Sequence, residues 1–161
     1  MLQQVCENIH NFFIAKDGNI PRVWANDYTI AGGVISPAVP LKAGQRFLIA
    51  GSDLNDGVYT YHPEGITNDD DTEAAGLQAE VFTGSIAAMA VPPAVLALVG
   101  EINDWVEKYG AVVNSPFSSE NVNGLYGYTK AVKSEAAGGG SYTWEDVFKS
   151  RLNAIGRKVC L

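Results

Sequence analysis

Cysteine and histidine are scarce in this 161-residue chain, with two of each, and that scarcity closes several chemistries at the outset. Cys6 and Cys160 lie near opposite ends, with no second pair and no CxxC spacing. Neither a disulfide framework nor a thiolate zinc site is implied, and a reduced compartment is the simplest setting. His10 and His62 have no HxxxH or HExxH spacing and cannot make a zinc site by themselves, so solvated or cap-like imidazoles are expected. Positive charge is also short: 11 Lys and Arg stand against 18 Asp and Glu, for a net charge of -7. That balance opposes any binding that depends on neutralising many phosphates, but it is compatible with DNA passing nearby without sticking. Long apolar runs are missing too. No stretch approaches the roughly 18 apolar residues a membrane helix needs, and the opening MLQQVCENIHNFF lacks the basic and then apolar pattern of an export signal. The expectation is a soluble, unexported protein.

What is present is an ordinary globular balance, 47% apolar and 18% charged, in a length that favours one domain with at most a small subdomain. Leu2, Val5, Ile9, Phe12 and Phe13 recur at helical steps and predict a first helix ending near Asp17-Gly18. Pro21 breaks it, and VWANDYTIAGGVISP reads as strand, Gly32-Gly33 turn, strand. QRFLIAGSDLNDGVYTYH reads as a β-hairpin turning at Asn55-Asp56-Gly57, and a further short strand is expected around Glu80 to Phe82. Pro92-Pro93 opens the strongest helix, whose stripe Val95, Leu98, Val99, Ile102, Trp105, Val106 and Tyr109 is expected to stop at Gly110. This helix is expected to pack with the first and last helices as the main core. Thr143 and Asp146 form a capping-box spacing ahead of that last helix, which is predicted to run to about Ile155.

Catalytic patterns are hard to find. Asp69, Asp70, Asp71 and Glu73 lack the alternating ligands and central Gly of an EF-hand and read as a solvated acidic loop. In GSDLNDG the turn already accounts for Asn, Asp and Gly, and no triad can be named. Cys6 beside Glu7 reads as a small buried hydrophobe rather than a reactive thiolate. The glycines of AGGVISP and GLYGYTK have no phosphate-loop spacing. No catalytic, metal-binding or cofactor-binding residue is identified, and no cofactor is expected. The informative features are surface-like: Tyr126 and Tyr128 alternate as in an extended arm or an edge strand of the chain's own sheet, and Arg151, Arg157 and Lys158 concentrate positive charge near the C-terminus. Val159, Cys160 and Leu161 form a short apolar end that either docks on a neighbour or folds back on the core.

GEINDWVEKYG, SSENVNGLYGYTKA and TWEDVFKSRLNAIGRKV together resemble the small head-tail connector proteins of long-tailed bacteriophages and prophages. In that family an EIxxW-type helix leads to an S-E-x-[VI]-G-D-Y-S-x-x-Y-like arm, and a last helix ends in L-x-x-[YW]-R. The likeness covers about the last 70 residues of the chain. Here Gly124-Leu125-Tyr126 replaces Gly-Asp-Tyr, and Gly156 stands where an aromatic residue often precedes the arginine. The section from Val23 to Val81 has no counterpart in all-helical members. The resemblance implies a structural virion protein, in the host cytoplasm before assembly, with no reaction catalysed. It would form a homo-oligomeric ring that binds the portal and a tail-completion protein while DNA passes through. Tyr126, Tyr128, Arg157, Lys158, Val159 and Leu161 would be its subunit or portal interface. A tail-completion or tail-terminator subunit and a small α+β ligand-binding domain or enzyme are the rivals. The expected fold is α+β: a small helical bundle of three main helices with a β-hairpin-rich subdomain inserted after the first helix. Residues 1–161 would form one connector-like domain, with the β-rich part at 23–82, a flexible Gly-rich connection at 134–141 and a tail at 156–161.

Overall fold

The structure, a computed structural model, describes residues 1–114, 119–122, 126–129 and 142–157. It divides into two compact units, Met1–Leu96 and Ala97–Leu161.

The first unit opens with helix α1, Leu2–Asn8, which buries Leu2, Val5 and Cys6. The helix stops well before Asp17-Gly18. His10 takes the left-handed φ of 53°, its N–H donates to Glu7 O at 3.1 Å, and the Asn11 N–H donates to Cys6 O at 2.9 Å. These two bonds make a Schellman stop with histidine where glycine usually sits. Asn11 Oδ1 then accepts the Phe13 N–H at 2.9 Å. The apolar periodicity therefore runs on through Phe12 and Phe13 in sequence after the helix itself has ended.

A small hairpin follows, β1 (Lys16–Asp17) with β2 (Ile20–Pro21). Then come β3 (Val23–Ala31), β4 (Val34–Ser36), β5 (Gln45–Ala50), β6 (Gly57–His62), β7 (Gly65–Thr67) and β8 (Glu80–Ala88). These last six form one sheet in the order β4-β3-β8-β5-β6-β7, with every neighbouring pair antiparallel. The β3–β4 turn matches the sequence reading, with Gly32 and Gly33 at φ of 58° and 77°. In the β5–β6 hairpin, Gly57 begins β6 and residues 51–56 make a longer loop than the expected turn.

The sheet's inner face carries a core cluster. Two-residue alternation turns Tyr28 and Ile30, Phe47 and Ile49, and Phe82 and Ile86 inward together. The Tyr28 and Phe82 rings lie 5.5 Å apart, and those of Phe47 and Tyr59 lie 5.8 Å apart. The Tyr28 hydroxyl is satisfied by Trp24 O at 2.9 Å. Between Phe82 and Ile86 sits Gly84, where a Cβ would collide with Ala50 O and come within 3.0 Å of the Phe82 ring. Glycine at this position lets β5 and β8 pair closely.

This architecture overturns the expected helical bundle with a hairpin insert: the chain is mostly β-sheet, with three helices among the described residues. The physical reason lies in β8. The segment from Val23 already reads as a strand, whereas Gly84-Ser85 and Ala87-Ala88 have weak intrinsic strand preference; yet β8 pairs with β3 in register from Val23↔Ala87 to Ile30↔Glu80. Pairing across the sheet outweighs the local preference of these residues, because β-propensity is largely a matter of cross-strand context. The short strand expected at Glu80 to Phe82 is only the start of β8, and a core cluster lies on the sheet's inner face in addition to the buried residues of the helix stripe.

Helix α2 (Pro93–Asn114), whose first four residues belong to the first unit and the rest to the second, starts at Pro93 as read and continues past Gly110. Val95, Leu98, Val99 and Ile102 are buried and Tyr109 is exposed, with Trp105 and Val106 half-buried between them, so cover of the stripe thins toward its C-terminal end. Helix α3 (Trp144–Arg157) passes through Gly156 instead of ending near Ile155 and buries Leu152. At its start Asp146 Oδ2 accepts both the Thr143 N–H at 2.9 Å and the Thr143 hydroxyl at 3.0 Å. This supplies the return half of a capping box with Asp in place of Glu. Arg151 grips both carboxylate oxygens of Glu101, tying α3 to α2. A separate antiparallel ribbon pairs β9 (Ser119–Val122) with β10 (Tyr126–Thr129).

Candidate functional site

The residues singled out from the sequence fall on three places. Tyr126 pairs with Val122 and Tyr128 with Glu120 in the β9–β10 ribbon. Residues 126–129 are thus an edge strand of a two-stranded sheet of the chain's own, separate from the six-stranded sheet. Arg157 is the last residue of α3. Lys158, Val159 and Leu161 lie outside the described residues, as do the Gly-rich connection at 134–141 and the apolar end. The structure thus brings the two tyrosines into one strand of a ribbon that, among the described strands, is paired only with itself. A two-stranded ribbon by itself is marginal in water and is made stable by packing on a further surface.

The first unit holds two polar clusters that sequence spacing did not show. Loop 51–56 is clamped by Glu80, whose carboxylate accepts from Ser52 Oγ at 2.5 Å, Asp53 N at 2.8 Å and Asn55 Nδ2 at 2.8 Å. Asn55, itself buried, takes the Gln78 N–H at 2.7 Å through its side-chain oxygen and donates its own N–H to Ser52 Oγ. These donors, Ser52 first, hold the Glu80 carboxyl below its ordinary range. Asp56 Oδ1 accepts the Gly51 N–H at 2.7 Å. The GSDLNDG stretch is therefore a rigid, internally bonded loop.

The acidic run is not simply solvated. Asp69 Oδ2 accepts from the Met1 amino group and from the Gln3 N–H, both at 2.9 Å, satisfying otherwise open donors at the start of α1. Asp71 Oδ1 receives the Thr67 hydroxyl at 2.6 Å and lies 2.7 Å from His62 Nε2. Thr67 first, then His62, hold the Asp71 carboxyl below its ordinary value. His62 thus has a carboxylate partner that neither histidine spacing nor the acidic run revealed, because the two meet only through β6–β7 pairing. Burial, then Asp69 and Glu7, push the Cys6 thiol up to about 12, which keeps it protonated and inert.

A pocket of about 230 Å³ lies where β4 and the β6–β7 hairpin converge, walled by Ile35, Val39, Phe47, Tyr61 and Ile66. Because β4 and β7 are the two edges of the sheet, this pocket marks where the sheet curls most of the way to a barrel. Among the described residues, no group of three or more His, Cys, Asp or Glu is placed to hold a metal ion, and no helix is long and apolar enough to cross a membrane. No protein-family model matches the chain, and neither a curated protein nor a solved structure matches it.

Proposed function

We propose that this chain is a structural subunit of a phage or prophage virion. In role it is a head-tail connector: it assembles as a homo-oligomeric ring with the portal on one side and a tail-completion protein on the other, and DNA passes through. The observation that carries the reading is the β9–β10 ribbon, which falls on the arm-like stretch and is not part of the six-stranded sheet. A ribbon with Tyr126 and Tyr128 and no larger sheet of its own is suited to add to a neighbour's edge or groove. The acidic balance of the chain is consistent with a passage that guides DNA without retaining it. The role rests on the C-terminal part of the chain; the β-rich first unit is built differently from an all-helical connector.

The test mixes the purified full chain with portal-bearing heads and, separately, with tail tubes, and measures co-sedimentation. Binding to portal-bearing heads, lost on Tyr126→Ser with Tyr128→Ser while the melting curve of the free chain holds, is the expected result. Binding to tail tubes alone favours a tail-terminator subunit instead. No binding to either overturns the assembly reading.

A further inference from the structure

Charge in the first unit is sorted by position along the sheet. Its Lys and Arg residues are Lys16, Arg22, Lys42 and Arg46, and no others. Lys16, Arg22 and Lys42 line a cleft of about 690 Å³ with Ile20 and Trp24, and Asp17 is its one carboxylate. Lys42 also lines an adjoining cleft of about 330 Å³ with Arg46 and Met89. The pairing explains the gathering. Val23↔Ala87 and Phe47↔Ala88 bring the starts of β3 and β5 to the end of β8. The small β1–β2 hairpin is hooked to the same place by Ala15 N–H to Ala88 O and Ala88 N–H to Arg22 O.

Lys16 and Lys42 are exposed, and none of the four cations makes an ion pair with a described residue. Arg46 acts on Asp71 at longer range, and its buried Nε has no hydrogen-bond partner. Arg22 is held in place by stacking over Trp24 at 5.4 Å and by donating to Pro40 O at 2.7 Å. Ile20 beside them is 73% exposed.

The far end of the same sheet is the complement. Ala50↔Ser85 and the Glu80 clamp put loop 51–56 near the start of β8. Asp53 and Asp56 are exposed there, and Leu54 between them is 52% exposed. The clamp makes the loop rigid, so presenting Leu54 and Asp53 to a partner costs little ordering entropy.

We propose that the first unit docks head to tail on a second copy of this chain. The basic end of one sheet, Lys16, Arg22, Lys42 and Arg46, receives the acidic loop Asp53-Leu54-Asp56 of the next. This names a subunit contact within the ring and rests on the assembly reading. Two different, mutually complementary surfaces on one molecule make a heterologous contact, the kind that closes into rings. The exposed Ile20 receives Leu54, and the surrounding charges set register and partner choice.

The experiment is sedimentation velocity on the full chain at low and high salt, with two variants and their mixture. Lys16→Glu with Lys42→Glu reverses the basic end; Asp53→Lys with Leu54→Lys reverses the acidic loop. The changed residues are exposed, and an unchanged melting curve confirms each fold. Each variant alone should self-associate at least about tenfold more weakly than the wild type, and the equimolar mixture should recover association, because the reversed ends then complement each other. Wild-type association should also weaken as salt rises, a readout that needs no variant. If the wild type oligomerises and both variants match it, or salt leaves its association unchanged, this contact is wrong and the assembly reading stands. The contact is equally wrong if the wild type is monomeric throughout yet binds portal-bearing heads. A wild type that neither self-associates nor binds those heads overturns both.

Discussion

The two units are held by different kinds of connection. In Met1–Leu96 the ties join residues far apart in sequence: Asp69 to Met1, Glu80 to Asp53, and β3 to β8 along eight paired positions. In Ala97–Leu161 the described structure is built from local pieces, two helices and a ribbon, with the Glu101–Arg151 pair as a long-range polar link between α2 and α3. The contrast teaches that the first unit should behave as one cooperative block, slow to form because its pairings are non-local. The second has pieces that can respond singly.

Breaking the core of the first unit is the severest test of that contrast. Phe47→Ala removes a fully buried ring from the centre of the cluster and should cost about 3–5 kcal/mol. Denaturant unfolding followed by tryptophan emission and by circular dichroism should show the whole sheet lost in one step. Loss of β-signal in two steps would show that the unit is not a single block.

In the second unit, Leu152→Ala should cost about 2–4 kcal/mol locally, since Leu152 is a buried side chain of α3. Hydrogen exchange should rise in 142–157 and stay unchanged in β5 and β8. Equal loosening of both regions would erase the distinction. Gly84→Ala forces a methyl against Ala50 O and the Phe82 ring and should cost about 1–3 kcal/mol, read as a lower denaturation midpoint with the same slope.

Acid sharpens the comparison further. Glu80 is held below its ordinary value of 4.5. The clamp's contribution is therefore complete above that value and is lost as pH falls through the lower folded-state value. Wild-type stability should fall on acidification in that window, and Glu80→Gln should flatten the fall while lowering stability at neutral pH. An identical pH profile in the variant would remove the clamp's role. The smallest expected effect is at the α3 cap, where Asp146→Ala should cost about 1 kcal/mol, seen as fraying of 142–147 by hydrogen exchange.

Much of the local structure was legible because it depends on neighbours in sequence. Pro93 opens α2, Gly32-Gly33 makes the β3–β4 turn, and the Thr143–Asp146 spacing caps α3. Helix ends were misread where a side chain took an uncommon role. His10 stopped α1 in a left-handed conformation, whereas Gly110 and Gly156 failed to stop α2 and α3. A glycine weakens a helix without forbidding it, so neither marked an end.

The sequence by itself determined which segments turn, which alternate and which carry a helical stripe, since those follow from backbone sterics and from the spacing of side chains along one element. Only the tertiary structure decided that β3 and β8 lie side by side, and with that the fold class. It also decided that His62 meets Asp71, that Glu80 clamps loop 51–56, and that the first unit's four cations share one end of the sheet. Each of these depends on pairing between strands distant in the chain, and a strand's partner is chosen by the burial it achieves across the sheet, a quantity no local pattern carries.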